Sequence, residues 1–230
     1  MSDPVRVLVA GASGLVGQAV LRAAVDRPAL RPIALGRRAA PLPEGARMEQ
    51  LVIDPAHWGD AVRAARPGVI VLALGTTIAG VGGDRAAFRA VDHGLTLQCA
   101  QAARQAGVAH AIVVSSVGAD PAARAFYLAT KGAVERDLAA LGFARLDVVR
   151  PGLLRGRRPG PPRPAERLGM AVAPLLDWAL PGALSRYRSI PAGIVGQAIA
   201  NLASARSTGR FVHHYREIHK AAQGLVAPGS

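Results

Sequence analysis

The sequence predicts an α/β protein with a doubly wound parallel sheet whose two faces are covered by helices. Short runs of aliphatic and β-branched residues alternate with longer Ala-rich segments that have helical periodicity. The runs are apolar throughout, which is typical of parallel strands buried on both faces. At 230 residues, half of them hydrophobic, the chain is long enough for one such domain with a well-buried core.

Six of these runs are predicted strands, and they follow one another within the first 150 residues. They are VRVLVA (5–10), PIALG (32–36), EQLVID (49–54), VIVLAL (69–74), HAIVVSS (110–116) and LDVVR (146–150). The periodicity predicts helices at 14–26, in a short segment from His57, at 84–106 and at 121–141, where Gly142 ends the last one. Alternating strands and helices are the pattern of a parallel sheet.

The composition changes after Arg150. The stretch RPGLLRGRRPGPPRPAER is too rich in proline for a helix or a central strand, and helical segments are predicted after it at about 165–180, 191–204 and 214–222. We therefore predict one domain over residues 1–225. Its core covers about 1–150, residues 151–225 form a small helical C-terminal cap that completes a substrate cleft, and 226–230 form a frayed tail.

Composition and charge exclude several classes of partner. The net charge is +13, but the Arg residues are dispersed from Arg6 to Arg216 and aromatic residues make up only 4% of the chain, so no specific nucleic-acid partner is expected. Cys99 is the single cysteine, which excludes a disulfide framework and a Cys-based metal site. The six His lack metal-ligand spacing, and we expect the late cluster at His213, His214 and His219 to be a solvated helix start.

The sequence also gives expectations about location. The beginning, MSDPVRVLVAGASG, lacks the basic segment of a secretory signal peptide. The longest apolar stretch, AVAPLLDWALPGAL, contains Asp177 and two prolines and falls short of the ~20 residues that a membrane-spanning helix needs. We expect no membrane span and a cytoplasmic protein.

A glycine-rich loop directly follows the first predicted strand. The motif GASGLVG has glycines three residues apart at the junction between this strand and the first helix. A dinucleotide site needs this arrangement, because the chain must turn tightly and its backbone N–H groups must approach a pyrophosphate at a helix N-terminus. The predicted cofactor-binding residues of the loop are Gly11, Ala12, Ser13, Gly14, Leu15, Val16 and Gly17.

The ends of the next strands indicate which dinucleotide binds. An NAD site has Asp or Glu at the end of the second strand to hold the ribose 2′-OH, but this strand ends in Leu35, Gly36, Arg37 and Arg38. Two guanidinium groups suit a 2′-phosphate, so Arg37 and Arg38 favour NADP(H) over NAD(H). The carboxyl ends of the third and fourth strands add Asp54 near the adenine and Leu74, Gly75 and Thr76 along the dinucleotide.

A Ser, a Tyr and a Lys form the candidate catalytic set. Ser115 and Ser116 end the fifth strand, and eleven residues after Ser116 comes Tyr127, followed one helical turn later by Lys131. Only two of the 28 basic residues are Lys. A free Tyr titrates near 10, and a neighbouring ammonium lowers that pKa, which makes the phenol a competent acid for carbonyl reduction. The hydroxyl of Ser116 would orient the substrate oxygen, although the residues alone leave Ser115 open.

These motifs resemble the short-chain dehydrogenase/reductase superfamily. More narrowly, LVAGASGLVG, ALGRR, LGTT, FRAVD, VVSSVGAD, FYLATKGAVE and VVRPGLLRGRR run in the order and spacing of the NAD(P)H-binding oxidoreductases typified by the human HIV Tat-interacting protein. The resemblance covers about residues 5–220. It implies a Rossmann-type domain that binds NADPH, the catalytic roles given above for Ser116, Tyr127 and Lys131 (the last two also touching the cofactor), and an approach of Pro151 and Leu153 to the nicotinamide.

Three functions agree with this sequence. The first is an NADPH-dependent oxidoreductase that transfers a hydride to a small carbonyl substrate. The second is an NADPH-sensing or scaffolding protein with little turnover, and the third is a nucleotide-sugar epimerase or dehydratase. The Arg/Pro loop at 155–167 suits either an acidic substrate or plain solvation, and a protein partner or a second copy of the chain is left open.

Overall fold

The chain forms alternating strands and helices, as the sequence predicts. The computed structural model describes residues 3–25, 27–43, 45–46, 48–156 and 182–225, and the structural statements below refer to these residues. The strands are β1 (Val5–Ala10), β2 (Leu30–Gly36), β3 (Glu49–Val52), β4 (Val69–Leu72), β5 (His110–Val114), β6 (Arg145–Val149), β7 (Leu154–Arg155), β8 (Ile190–Pro191) and β9 (Gly209–His213). The α-helices are α1 (Leu15–Val25), α2 (Trp58–Ala65), α3 (Arg85–Arg89), α4 (Thr96–Gln105), α5 (Phe126–Ala140), α6 (Ala192–Leu202) and α7 (Tyr215–Ala222).

Shorter helical turns join some of these elements. Turns of 3-10 helix occupy Pro55–His57, Ala79–Val81 and Gly182–Tyr187. A π-helical segment, Ala90–Leu95, lies between α3 and α4, so the single helix predicted over 84–106 is interrupted in its middle. Such π-helical insertions are rare and occur frequently at functional sites.

Seven strands form one sheet in the order β3-β2-β1-β4-β5-β6-β9, and all neighbours are parallel. The chain moves outward from β1 to β3, returns to pair β4 with β1, and then moves outward in the opposite direction. A crevice therefore opens between the carboxyl ends of β1 and β4, where open α/β sheets bind ligands. This topology confirms the predicted Rossmann-type fold class.

Each face of the sheet is covered by a separate helical layer. Alternate strand residues such as Val7 and Val9 pack against α1, α6 and α7. The intervening ones, such as Leu8, pack against α2, α4 and α5. Because both faces are buried, the central strands are apolar throughout rather than alternating. Cys99 is fully buried on the second face, where burial raises the pKa of its thiol to about 12 and leaves it unreactive at neutral pH.

The sequence prediction missed one strand of the sheet. It placed only helices after Arg150, whereas β9 pairs with β6 and extends the sheet at its edge. Only His213 is buried among the five residues of GRFVH, so the apolar run that marks the central strands is absent here. The helices predicted at 191–204 and 214–222 correspond to α6 and α7, and the one predicted at 165–180 lies outside the described residues.

A buried polar cluster lies between β5, β6 and β9. The Asp147 carboxylate accepts hydrogen bonds from His110 Nε2 at 2.7 Å, from His213 Nε2 at 2.7 Å and from Arg145 Nε at 2.6 Å. Burial by itself would raise the pKa of Asp147, but these bonds outweigh it and hold the pKa well below its usual range. The expectation that His213 stands at a solvated helix start is wrong, because its ring is a buried partner of Asp147.

Candidate active site

The glycine loop joins β1 to α1 at the crevice between β1 and β4. Gly11 has a φ of +84°, and a Cβ built there would lie 2.6 Å from the Ala73 carbonyl oxygen at the end of β4. A Cβ on Gly17 would lie 2.3 Å from the Gly11 oxygen, so the first turn of α1 packs directly on the loop. Both positions therefore require glycine. The first N–H groups of α1 have no intrahelical acceptor, and they suit a pyrophosphate.

The end of β2 is hydrogen-bonded to this loop. The Leu35 oxygen accepts from Gly11 N at 3.1 Å and from Ala12 N at 3.3 Å. Arg37 and Arg38 follow two and three residues later, and both are exposed at the same edge of the sheet. Their position relative to the loop is the one that the sequence predicts for the adenosine end of a dinucleotide.

Asp54 lies at the same edge but has a local structural role. Its Oδ1 accepts a hydrogen bond from Ala56 N at 2.8 Å and caps the 3-10 turn that follows β3. The Ile53 N–H donates to the Gly36 oxygen at 3.1 Å, which places this turn beside the end of β2. One carboxylate oxygen of Asp54 remains outside this cap.

A buried carboxylate that was not predicted from the sequence lies beside the end of β4. Asp92 comes from the π-helical segment, its side chain has no exposure, and its Oδ2 accepts from Thr76 N at 2.8 Å. The segment Leu74–Thr76 is thereby fixed along the crevice. Apart from the helix cap Asp84, Asp92 is the only acidic residue in the predicted helix 84–106. This isolated carboxylate in a long Ala-rich helix is the sequence feature from which a functional role of Asp92 could have been predicted.

Asp92 also pairs with the candidate catalytic lysine. Lys131 Nζ lies 2.9 Å from Asp92 Oδ1, and only 7% of the Lys131 side chain is exposed. Lys131 is therefore not a surface lysine. Two buried opposite charges at the mouth of the predicted cofactor crevice are typical of a functional site, because the interior of a protein otherwise excludes them.

Tyr127 lies in the first turn of α5, one turn before Lys131. It is 39% exposed, and its ring packs edge-on against Phe88 of α3 with the ring centroids 6.0 Å apart. Residues four apart share one face of a helix, so the phenol and the ammonium point to the same side of α5.

α5 begins at Phe126 rather than at residue 121, where the sequence predicted its start. Asp120 accepts a hydrogen bond from Ala122 N in a turn before the helix.

The two serines at the end of β5 have different surroundings. Ser115 is buried, and its Oγ donates to Glu135 Oε1 at 2.5 Å. Ser116 is half-buried, and its Oγ has a long contact of 3.3 Å with the Val117 oxygen. The hydroxyl of Ser115 is thus committed to the interior of the protein, whereas that of Ser116 lies at the edge of the sheet.

Pro151 and Leu153 follow β6 at the same edge. Val117 N donates to the Pro151 oxygen at 3.0 Å, which joins this loop to the residue after Ser116. Leu153 is 53% exposed, and its oxygen accepts from Ile190 N at 2.8 Å. All the predicted site residues therefore lie along the carboxyl edge of the sheet. A separate cavity of about 370 Å³, lined in part by His110 and Arg145, lies at the opposite edge, away from these residues.

Comparison with known families decides what kind of domain this is. A family model described as NAD(P)H-binding matches residues 11–166, which cover the glycine loop, both serines, Tyr127 and Lys131. The chain belongs to this NAD(P)H-binding family. The glycine loop fits the cofactor, since it turns tightly at the crevice and leads directly into the N-terminus of α1.

Relatives of this NAD(P)H-binding chain occur in fungi. It is similar to the mitochondrial protein FMP52 of Debaryomyces hansenii, at 32% identity over 85% of this chain and 84% of that protein. It is also similar to FMP52 of Saccharomyces cerevisiae, at 39% identity over 66% of each chain. The cytoplasmic location expected from the sequence is contradicted by these relatives, since fungal relatives at 31–40% identity are named as mitochondrial.

Some solved structures with the same fold contain bound NAD. The UDP-glucose 4-epimerase of Thermus thermophilus in complex with NAD aligns with a TM-score of 0.66 at 24% identity, over 97% of this chain and 84% of that one. WbmH of Bordetella bronchiseptica in complex with NAD+ aligns with a TM-score of 0.68 at 14% identity, over 92% of this chain and 76% of that one. At such identities the likeness supports the Rossmann-type fold of this NAD(P)H-binding domain. No described helix is long and apolar enough to cross a membrane.

Proposed function

We propose that this NAD(P)H-binding protein is an NADPH-dependent oxidoreductase that reduces a small carbonyl compound. The observation that carries the proposal is the pair of Tyr127 and the buried Lys131 on one face of α5, at the carboxyl edge where the glycine loop and Ser116 also lie. A phenol, an ammonium and a hydroxyl beside a dinucleotide loop suit proton transfer to a developing alkoxide.

Each residue of this set has a distinct role in the proposed reaction. When bound, the reduced dinucleotide supplies the hydride for the carbonyl carbon, and the product is the alcohol. Tyr127 donates its phenolic proton to the oxygen, and Lys131, one turn further along α5, lies on the same side of the helix as the phenol. The Ser116 hydroxyl donates a hydrogen bond to the same oxygen and orients it. Ser115 is unsuited to this role, because its hydroxyl is held by Glu135.

The adenosine end of the site supports NADPH rather than NADH. Arg37 and Arg38 follow β2 in place of the carboxylate that an NAD site uses, and both are exposed at the edge that carries the glycine loop. A guanidinium group can bind a 2′-phosphate through two charged hydrogen bonds. This preference belongs to the proposal, as does membership of the branch typified by the human HIV Tat-interacting protein.

The segment after β6 is proposed to complete the substrate cleft. Leu153 and the neighbouring strand β8 are joined at the edge that carries Ser116, and Leu184 and Tyr187 of the 3-10 turn 182–187 are exposed. The Arg/Pro loop from 157 onward lies outside the described residues. The same segment also contributes β9, α6 and α7 to the sheet and its first helical layer, so it is proposed to be part of one domain.

A second candidate function has one observation in its favour. The solved structures that share the fold include an epimerase bound to NAD and MoeE5 bound to UDP-glucose and NAD. An epimerase would retain the same three catalytic residues and would recycle its cofactor. The chain covers 81% of that MoeE5 structure and 84% of the epimerase, so both carry sequence beyond the part that aligns. We therefore prefer the reductase.

A cofactor oxidation assay tests the proposal. Purified protein is mixed with NADPH and a panel of small aldehydes, ketones and quinones, and the loss of NADPH absorbance is recorded. Oxidation that depends on one carbonyl class supports the reductase. Binding of NADPH without oxidation by any member of the panel would contradict it and favour a sensing or scaffolding protein. Interconversion of a UDP-sugar without net cofactor oxidation would favour the epimerase.

A further inference from the structure

A buried carboxylate one turn beyond Lys131 joins three segments of the candidate active site. Glu135 is 2% exposed. Its Oε1 accepts from Ser115 Oγ at 2.5 Å and from Arg150 Nε at 2.9 Å, and its Oε2 accepts from Arg150 Nη2 at 2.5 Å. Arg210 of β9 adds a longer ion pair at 3.6 Å. Arg150 thus binds Glu135 with both arms of its guanidinium fork.

The partners of Glu135 are the immediate neighbours of predicted reacting residues. Ser115 precedes Ser116 at the end of β5, and Arg150 precedes Pro151 at the end of β6. Glu135 itself lies on the helix that carries Tyr127 and Lys131. The Glu135 carboxylate therefore ties α5, which carries Tyr127, to the ends of β5 and β6. Ser116 follows the first of these strands, and the loop that begins at Pro151 follows the second.

Stability alone does not account for this arrangement. A buried ion pair contributes little net stability compared with apolar residues of the same size, because both charges lose their hydration. Val134 and Leu138, beside Glu135 on α5, already anchor the helix in the apolar core. A charged bidentate pair does, however, fix orientation more narrowly than apolar packing, and catalytic groups require such support from the residues behind them.

We propose that Glu135 is a positioning residue that holds Ser116 and the Pro151 loop in register with Tyr127. The proposal rests on the proposed function and assigns it a supporting residue. It acts on the nicotinamide half of the site, since Ser115 and Arg150 adjoin the residues predicted there. The adenosine half, at Gly11–Gly17 and Arg37, lies at β1 and β2, whereas the hydrogen-bond partners of Glu135 lie at the ends of β5 and β6.

The test compares the two halves of the cofactor site in Glu135→Gln. This substitution keeps the shape of the side chain and removes the charge that pairs with Arg150. We expect the Kd of 2′,5′-ADP, which occupies only the adenosine half, to stay within about twofold. The fluorescence enhancement of bound NADPH should be lost, and kcat should fall about 10–100-fold with KM nearly unchanged, as a displaced reacting group predicts.

A matched variant separates positioning from general loss of stability. Leu138→Ala removes a fully buried side chain from the same helix without touching Ser115 or Arg150, so it should lower the melting temperature but keep the NADPH fluorescence and kcat. Arg150→Lys keeps the positive charge but removes the bidentate guanidinium group, so its effects should resemble those of Glu135→Gln. If Glu135→Gln does not fold, Arg150→Lys is tested in its place. All assays are run well below the lowest melting temperature.

The outcomes separate this proposal from the proposed function. If Glu135→Gln melts lower than the wild type but keeps the NADPH fluorescence and kcat, Glu135 is only structural and the proposal is overturned. If the wild type binds NADPH but reduces no carbonyl, the proposed function fails, while the fluorescence and 2′,5′-ADP measurements still decide the role of Glu135. If NADH binds more tightly than NADPH, the same comparison is made with NADH and ADP.

Discussion

Lys131 Nζ lies 2.9 Å from Asp92 Oδ1, and both side chains are almost fully buried. The carboxylate also receives the Thr76 N–H at 2.8 Å, so one residue of the π-helical segment fixes both the end of β4 and the lysine of α5. This relationship holds a cation close to Thr76, just beyond the carboxyl end of β4. It has a direct consequence for stability.

Lys131→Met should destabilise the protein by about 3–5 kcal/mol, because it leaves Asp92 as an uncompensated buried charge. The double variant Lys131→Met with Asp92→Asn should be more stable than Lys131→Met alone. Urea unfolding followed by circular dichroism measures both. Lys220→Met, at an exposed position of α7, is the control and should change the free energy of unfolding by less than about 0.5 kcal/mol. A double variant that is less stable than Lys131→Met would exclude a stabilising pair.

Arg37→Ala should change the cofactor preference. A charged hydrogen bond to the 2′-phosphate contributes about 1.5–3 kcal/mol, so the Kd of NADPH should rise about 10–100-fold while that of NADH stays within about twofold. Fluorescence titration of both cofactors measures this. Arg31→Ala, at the opposite end of β2 and also exposed, should change neither Kd. Equal weakening of NADPH and NADH by Arg37→Ala would show that Arg37 does not bind the 2′-phosphate.

The two serines should respond differently to removal of the hydroxyl. Ser116→Ala should lower kcat about 10²-fold with little change in stability, because it removes a donor to the substrate oxygen. Ser115→Ala should lower the free energy of unfolding by about 1 kcal/mol, because it removes a buried hydrogen bond to Glu135. Steady-state kinetics and urea unfolding on both variants measure these effects. A larger loss of kcat in Ser115→Ala than in Ser116→Ala would reverse the assignment.

The Asp147 cluster should make stability fall in acid. The folded-state pKa of Asp147 lies below that of the unfolded chain, which is about 3.9. As the pH falls, the unfolded state takes up the proton first, so the stabilisation present above about pH 4 is lost progressively below it. Asp147→Asn should be less stable at neutral pH and should show a flatter decline between about pH 4 and pH 2.

Urea unfolding across this pH range tests the Asp147 prediction. Asp60→Asn removes an exposed carboxylate that pairs with Arg63 on the surface of α2, and its acid decline should match that of the wild type. An Asp147→Asn variant that declines as steeply as the wild type between about pH 4 and pH 2 would contradict the assignment of the acid sensitivity to this carboxylate.

Much of the fold could be predicted because the central strands are buried on both faces. Their runs are apolar throughout, and glycine marks the turn from β1 to α1, so both the alternation and the dinucleotide loop are visible in the sequence. β9 could not be predicted in this way, because an edge strand buries few of its residues and GRFVH has no apolar run.

The candidate site could be predicted only where residue type and spacing show its chemistry. Tyr127, Lys131 and the serines carry chemistry that is visible as residue type and spacing. Asp92 contacts Lys131, which lies 39 residues away in the sequence, and Glu135 contacts Ser115, which lies 20 residues away. Neither separation matches the periodicity of a helix or a strand, so the sequence pattern does not reveal these contacts. His213 illustrates the same limit, because its partner Asp147 lies 66 residues away on a neighbouring strand.

Transfer of deuterium from labelled NADPH tests the central claim most directly. The wild type is incubated with the carbonyl that oxidises NADPH and with NADPH deuterated on either face of the reacting nicotinamide carbon, and the alcohol is analysed by mass spectrometry. We predict that, with one of the two labelled cofactors, the alcohol carries deuterium at the former carbonyl carbon. Tyr127→Phe should form it about 10²–10⁴-fold more slowly at an unchanged Kd for NADPH, and Tyr215→Phe should match the wild type. An alcohol without deuterium, or undiminished transfer in Tyr127→Phe, would contradict the account.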